Sequence, residues 1–383
     1  MRAHLLLAGS AVAVALSLAL PFAAAEPAAE GTTGAAVALP VALPAFAVSK
    51  APEGPFTTLA PTAFAPALPY PPELAKALAG RDWAAALPLL QKVDRAQIPG
   101  PLVGDHAFVT AWVLERLDRA KEAVPLLEPV RAAVNAPPAY KQLVVGELLL
   151  ADGKPVEAIA ALKELPPEGP IQVRAALALA EAYQKAERTA DAKAVYETLA
   201  ARPDPAPGSS LALWALAQKV GTSSPDGQGY LRRIYRSYPG SAEDKAAAGL
   251  VAPTLEDLAW RGDALQEKGD WSAATSLLAS RLGETKLDAA GCRYRFAYGR
   301  AQHKLANLTS AAEVLAPLGA ACVGKDDERG AKALYLAAKS LERKKDWASA
   351  AKLYTQIPEK YPAHSIADDG CAFGCVALQE AGD

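Results

Sequence analysis

The sequence predicts an all-α fold, an α-solenoid of stacked helix hairpins, on three observations. First, apolar residues make up 51% of the chain but aromatic ones only 7%, and the alanine-rich remainder favours closely packed helices over sheets. Second, from Glu73 onward a helix-to-helix turn recurs about every 34–39 residues, the signature of a repeat architecture. Third, small and large apolar residues keep fixed distances from each turn.

The turn is visible seven times: at Gly80-Arg81-Asp82-Trp83, Asp118-Arg119-Ala120, Gly153-Lys154-Pro155, Glu187-Arg188-Thr189, Gly269-Asp270-Trp271, Ala306-Asn307-Leu308 and Lys345-Asp346-Trp347. Each copy leads to a marker alanine: Ala86, Ala123, Ala158, Ala192, Ala274, Ala311 and Ala350. Gly80, Gly153 and Gly269 suit the left-handed conformation that closes a helix, and Asp82, Asp270 and Asp346 suit the cap that opens the next one. Ahead of the turns stand Ala111, Gly146, Ala180, Gly262, Gly299 and Ala338, all at the same offset from their marker alanines. Small residues there are expected to meet small residues where paired helices approach. One turn of helix after each marker stands Leu90, Leu127, Leu162, Tyr196, Leu278, Leu315 or Tyr354, the expected core stripe of the second helix.

One interval, between Ala192 and Ala274, is twice the usual length and is expected to hide a degenerate unit. Leu231-Arg232-Arg233-Ile234-Tyr235 through Tyr238-Pro239 parallels Leu353-Tyr354 through Tyr361-Pro362, so both are expected to end a second helix. The polar stretch Thr222 to Gly227 is the expected hinge between a first solenoid half, 73–222, and a second, 223–383. Paired helices this short gain stability mainly by stacking on their neighbours, which produces a superhelix.

The N-terminus reads as an export signal over residues 1–25. Arg2 is a minimal basic region, Leu5 to Leu20 is free of charge, and Ala23-Ala24-Ala25 fits a cleavage site before Glu26. The apolar run is shorter than the ~20 residues that span a bilayer, so no integral membrane segment is expected after cleavage. Leu7-Ala8-Gly9-Ser10 looks like a lipoprotein signal with serine in place of the acceptor cysteine. A periplasmic product follows. Residues 26–72, rich in Ala and Pro, read as a disordered linker.

Forty basic against forty-two acidic residues leave a net charge of -2, so no nucleic-acid partner is expected. Cys292 and Cys322 lie equally far either side of Asn307 and should face each other across an open hairpin, predicting a disulfide in an oxidising compartment. Cys371 and Cys375 are expected in helical core packing. His4, His106, His303 and His364 are isolated, and no zinc, nucleophile-elbow, P-loop or dinucleotide motif occurs, so no catalytic residue, cofactor or metal is assigned. Trp83, Trp271 and Trp347 share a position after the turn and are expected to pack between repeats.

The spacing and the small-residue positions resemble tetratricopeptide repeats. Leu231 through Pro239, Arg293-Tyr294-Arg295-Phe296-Ala297-Tyr298-Gly299-Arg300-Ala301, and Tyr361 through Asp369 resemble the helical superhelix ahead of the catalytic domain in soluble lytic murein transglycosylases. That resemblance implies a periplasmic arc that positions peptidoglycan strands for a lysozyme-like domain, whose Glu-Ser and Gly-Leu-Met-Gln motifs have no counterpart here. Ala381-Gly382-Asp383 repeats the Gly-Asp turn, so the chain is expected to be a fragment of a longer enzyme. The alternative expectation is a stand-alone periplasmic scaffold that binds an envelope protein or peptide in its concave groove.

Overall fold

The computed structural model describes residues 68, 70–169 and 171–382. The expected signal peptide, and the expected linker as far as residue 67, lie outside the described residues. Residues ahead of Glu73 already join the packing: Leu68 is buried, and the Tyr70 hydroxyl lies 3.0 Å from His106 Nδ1.

Among the described residues the regular structure is helical. Helix α1 (Pro72–Ala79) pairs with α2 (Trp83–Lys92), and α3 (Val103–Arg116) with the broken second arm α4 (Ala120–Ala123) and α5 (Leu127–Arg131). Next come α6 (Pro138–Ala151) with α7 (Pro155–Lys163), α8 (Gln172–Lys185) with α9 (Thr189–Ala200), and α10 (Ser209–Val220) with α11 (Pro225–Ser237). After the short α12 (Ala242–Ala246) follow α13 (Leu255–Glu267) with α14 (Trp271–Ala279), and α15 (Ala289–Lys304) with α16 (Leu308–Leu315). Last are α17 (Leu318–Ala321), α18 (Asp327–Arg343) with α19 (Trp347–Lys360), and α20 (Ala367–Ala381), which packs on α19. The first helices of adjacent hairpins also touch, α6 with α8, α13 with α15 and α15 with α18. They thereby form one shared face. The oversized interval does contain an additional hairpin, α10 with α11.

The seven turns share one backbone state. Arg81, Asp118, Gly153, Glu187, Gly269, Ala306 and Lys345 all have positive φ, between 57° and 80°. Gly80 corrects the expectation made for it: its φ is -77°, and Arg81 next to it carries the left-handed turn. The position is fixed by where the second helix must begin, so five non-glycine residues accept a conformation that costs an L-residue about 1–2 kcal/mol. Asp82, Asp270 and Asp346 cap the helices that follow, accepting from the amides of Ala85, Ala273 and Ser349 at 3.0, 3.0 and 3.2 Å.

The small positions pack differently from the expectation. A Cβ added at Gly146, Gly262 or Gly299 would meet the side chain of Leu162, Leu278 or Leu315 within 2.7 Å. Small therefore meets large. The glycine on the first helix is the socket, and the leucine one turn after the marker alanine is the plug. All seven marker alanines are buried.

The apolar core runs without a break from Leu68 to Ala247, and Leu216 before the 222–227 turn and Leu231 after it belong to the same cluster. The expected hinge is thus an ordinary inter-helix turn, and the last members of the cluster, Ala247 and Val251, lie just ahead of α13. Between α11 and α13, Asp257, fully buried, accepts from Arg232 and Arg236 while closing a capping box with Thr254.

Cys292 and Cys322 are joined by a disulfide, with Cα atoms 6.0 Å apart, inside a cluster containing Phe296, Leu315 and Leu318. Cys371 and Cys375 are exposed, contrary to the core packing expected of them. Helix α20 packs through the narrower stripe Ala367, Gly370, Gly374 and Ala377. Trp83 and Trp347 lie half-buried against neighbouring core, whereas Trp271 lies under the cationic groups of Arg300 and Lys304. No described helix is long and apolar enough to cross a membrane.

Candidate functional site: a cavity lined by first helices

A cavity of about 570 Å³ opens among α11, α13, α15 and α18. Because the first helices of adjacent hairpins lie side by side, residues one or two turns apart on each contribute to a single surface. Buried Phe296 and half-buried Tyr335 and Leu336 supply its apolar lining. Tyr335 is held edge-on by Tyr354 and Phe373, with ring centroids 6.0 and 5.9 Å away.

Charge is distributed unevenly around this lining. The α13 side contributes Asp263 and Glu267, and the α15 and α18 side contributes Arg293, Arg300, Arg329 and Lys332 against a single carboxylate, Glu328. Arg293 donates to Asp263 through Nη2 at 2.8 Å and Nε at 3.1 Å, and its guanidinium lies 3.0 Å over the Trp260 ring. Burial, with the nearby Arg329 charge adding to it, pulls Arg293 below the usual guanidinium range despite Asp263. Arg300 donates to the Oε1 of Gln266, whose own amide is anchored on the Ala297 carbonyl at 2.7 Å. Arg329 is held by Asp326 at 2.8 Å. Glu328 is drawn below the usual carboxylate range by Lys332 and then His364. His364 Nδ1 accepts from the Ile366 amide, so Nε2 carries the proton and donates to Glu328.

A second polar cluster sits inside the first repeats and is sealed from solvent. Arg174 of α8 donates to Glu147 of α6 and to Glu115 of α3, tying three first helices together. Its guanidinium also lies 5.0 Å from the centre of the Trp112 ring. Two carboxylates share one guanidinium, and burial followed by the Glu147 charge pushes Glu115 well above the usual carboxylate range. A raised pKa favours the protonated form of Glu115 inside the cluster, which lowers the cost of enclosing two carboxylates together.

The repeat-packing residues read from the sequence, Ala86, Ala123, Gly146, Ala158, Ala192, Gly262, Ala274, Gly299, Ala311 and Ala350, all lie in hairpin interiors. None of them lines the cavity. Trp260, Asp263, Arg329, Lys332 and Tyr335 were missed. The signal was present for Asp263, which directly follows the small residue Gly262. Among the described residues no cluster of three or more potential ligands could hold a metal.

Hairpins stacked in series make this a helical-repeat fold. Residues 332–364, in α18, α19 and the turn after them, match the tetratricopeptide repeat family. No curated protein matches the chain. Two solved structures are similar at low score. One is the C-terminal part of a TPR repeat-containing protein from Cytophaga hutchinsonii, 14% identical over 78% of this chain and 97% of that one, with a TM-score of 0.29. The other is the APC/C hetero-tetramer Cut9-Hcn1, 16% identical over 79% of this chain and 54% of the matched chain, with a TM-score of 0.28.

Proposed function

We propose that this chain is a scaffold, exported to the periplasm, that holds a segment of a partner protein in the cavity among α11, α13, α15 and α18. The cavity itself carries the reading: it combines an apolar lining with charged walls on rigid helices, which suits a bound polypeptide segment. Protein binding is the general work of tetratricopeptide repeats, the family matched here at 332–364. The export signal at 1–25 supports a periplasmic location, and the bonded pair Cys292 and Cys322 suits an oxidising compartment. The test is a photo-cross-linking residue at Tyr335 in cells, with one at exposed Val323 as control. Cross-links to protein from the cavity alone support the proposal, and equal yields at both positions reject it.

A narrower reading makes the same cavity the glycan-positioning part of a peptidoglycan lytic transglycosylase, with no catalysis in this chain. It rests on the resemblance of Arg293 to Ala301, and is favoured by Trp260, an indole 41% exposed at the cavity. Protein-free sacculi should then retain the purified chain and lose it on Trp260→Ala. Unchanged retention by that variant counts against this reading.

A further inference from the structure

The first helices are linked by a recurring contact. It joins the residue directly after the small position on one first helix to the residue six before the small position on the next. Three such rungs are attractive. Trp112 stacks against Tyr140 with centroids 5.8 Å apart, Glu147 pairs with Arg174, and Asp263 pairs with Arg293. The rung between α15 and α18 departs from this pattern: its two positions are Arg300 and Lys332, both cationic, and both line the cavity.

Among the described residues no carboxylate turns that rung into an attractive pair, and Arg300 donates instead to the neutral Gln266. The carboxylate of Asp263 reaches Arg300 only at 3.8 Å, because its short contacts go to Arg293. Lys332 is paired with Glu328 on its own helix, in an exposed contact of the kind that contributes little and is readily exchanged for a ligand. Arg293 and Arg329 stand beside the same rung, each held by a carboxylate of its own, Asp263 and Asp326. An anion between α15 and α18 would restore the alternation of charge found in the other rungs.

We propose that the cavity takes an acidic peptide segment, seating a side-chain carboxylate between Arg300 and Lys332 and an apolar side chain against Phe296, Tyr335 and Leu336. This inference rests on the reading of the cavity as a site for a partner protein, and supplies the chemistry of the bound segment. Arg300 offers the carboxylate a planar fork and Lys332 a mobile ammonium, while Asp263 and Glu267 on the opposite wall disfavour a segment laid in the wrong register.

The test uses the full chain and three pools of fluorescein-labelled octapeptides: Glu, Leu and Gly, the same pool with Gln for Glu, and the same with Lys for Glu. Fluorescence anisotropy should show binding of the Glu pool that weakens with salt, and binding of the Gln pool about tenfold weaker, as for one lost charge-assisted contact. Lys332→Glu, at an exposed position where a substitution costs little stability, should weaken the Glu pool about tenfold, and Arg300→Gln should do likewise. Equal binding of the Glu and Gln pools, no binding of the Glu pool, or indifference to Lys332→Glu overturns the inference. Binding of the Lys pool that depends on Trp260 overturns it too, yet leaves the cavity as the partner site. Failure of all pools together with no protein cross-link at Tyr335 removes both.

Discussion

Gly299 of α15 lies so close to Leu315 of α16 that a methyl group on its Cα would stand 2.4 Å from the leucine Cγ. Gly299→Ala gains about 1 kcal/mol of helix propensity but forces the leucine from its seat, an overpacking that costs about 1–3 kcal/mol. A net loss of about 1 kcal/mol is expected in urea denaturation. Leu315→Ala alone should cost about 2–5 kcal/mol. Together the two changes should cost less than their sum, because the new methyl enters the space vacated by the leucine.

The carboxyl pair on Arg174 makes stability depend on pH. The folded-state pKa of Glu115 is raised, so its contribution is full below the unfolded value near ~4.3 and is lost as pH rises through the folded value. Glu115→Gln imitates the protonated group. The melting temperature of the variant relative to the parent should be higher at pH 9 than at pH 4. A parent that melts above the variant at both values shows that Glu115 acts as a carboxylate.

Turn strain predicts a stabilising change. Lys345 holds φ at 63° and Gly269 holds it at 80° in the same turn position. Lys345→Gly relieves about 1–2 kcal/mol of strain, offset in part by the freer unfolded chain, and should stabilise by about 0.5–1 kcal/mol in denaturation experiments. Gly269→Ala should destabilise by a similar amount.

The bond between Cys292 and Cys322 closes a loop with a sequence separation of 30. Loop entropy alone gives it about 3–4 kcal/mol of stabilisation. Reduction should lower the melting temperature of the parent, and Cys322→Ser should melt at the reduced value with or without reductant.

Much of the fold was legible in the sequence because each turn has one geometry and a few residues suited to it. The aspartate caps, the marker alanines and the leucine plugs were all read from spacing. Gly80 misled because glycine marks where a left-handed turn is easy, whereas the second helix of that hairpin opens at Asp82 and requires Arg81 to turn. The 222–227 stretch misled because polar turn formers join ordinary hairpins as readily as they join domains. Cys371 and Cys375 were assigned by residue type, and Gly370 and Gly374, one residue before each and about 100° round the helix, proved to set the packing of α20. The cavity was hardest to see, since Trp260, Arg293 and Lys332 acquire their meaning from a neighbouring helix rather than from their own. Comparing the register of successive first helices recovers part of it, as the cationic rung of Arg300 and Lys332 shows.

The claim that the α15 and α18 wall receives a partner segment is tested most directly by hydrogen exchange on the full chain, with and without the saturating Glu-Leu-Gly peptide pool. Slower exchange confined to the cavity-lining segments 260–267 of α13, 293–300 of α15 and 328–336 of α18 is the predicted result. Protection spread evenly over the outer helices α14, α16 and α19, with none at Arg293 to Arg300, would contradict it.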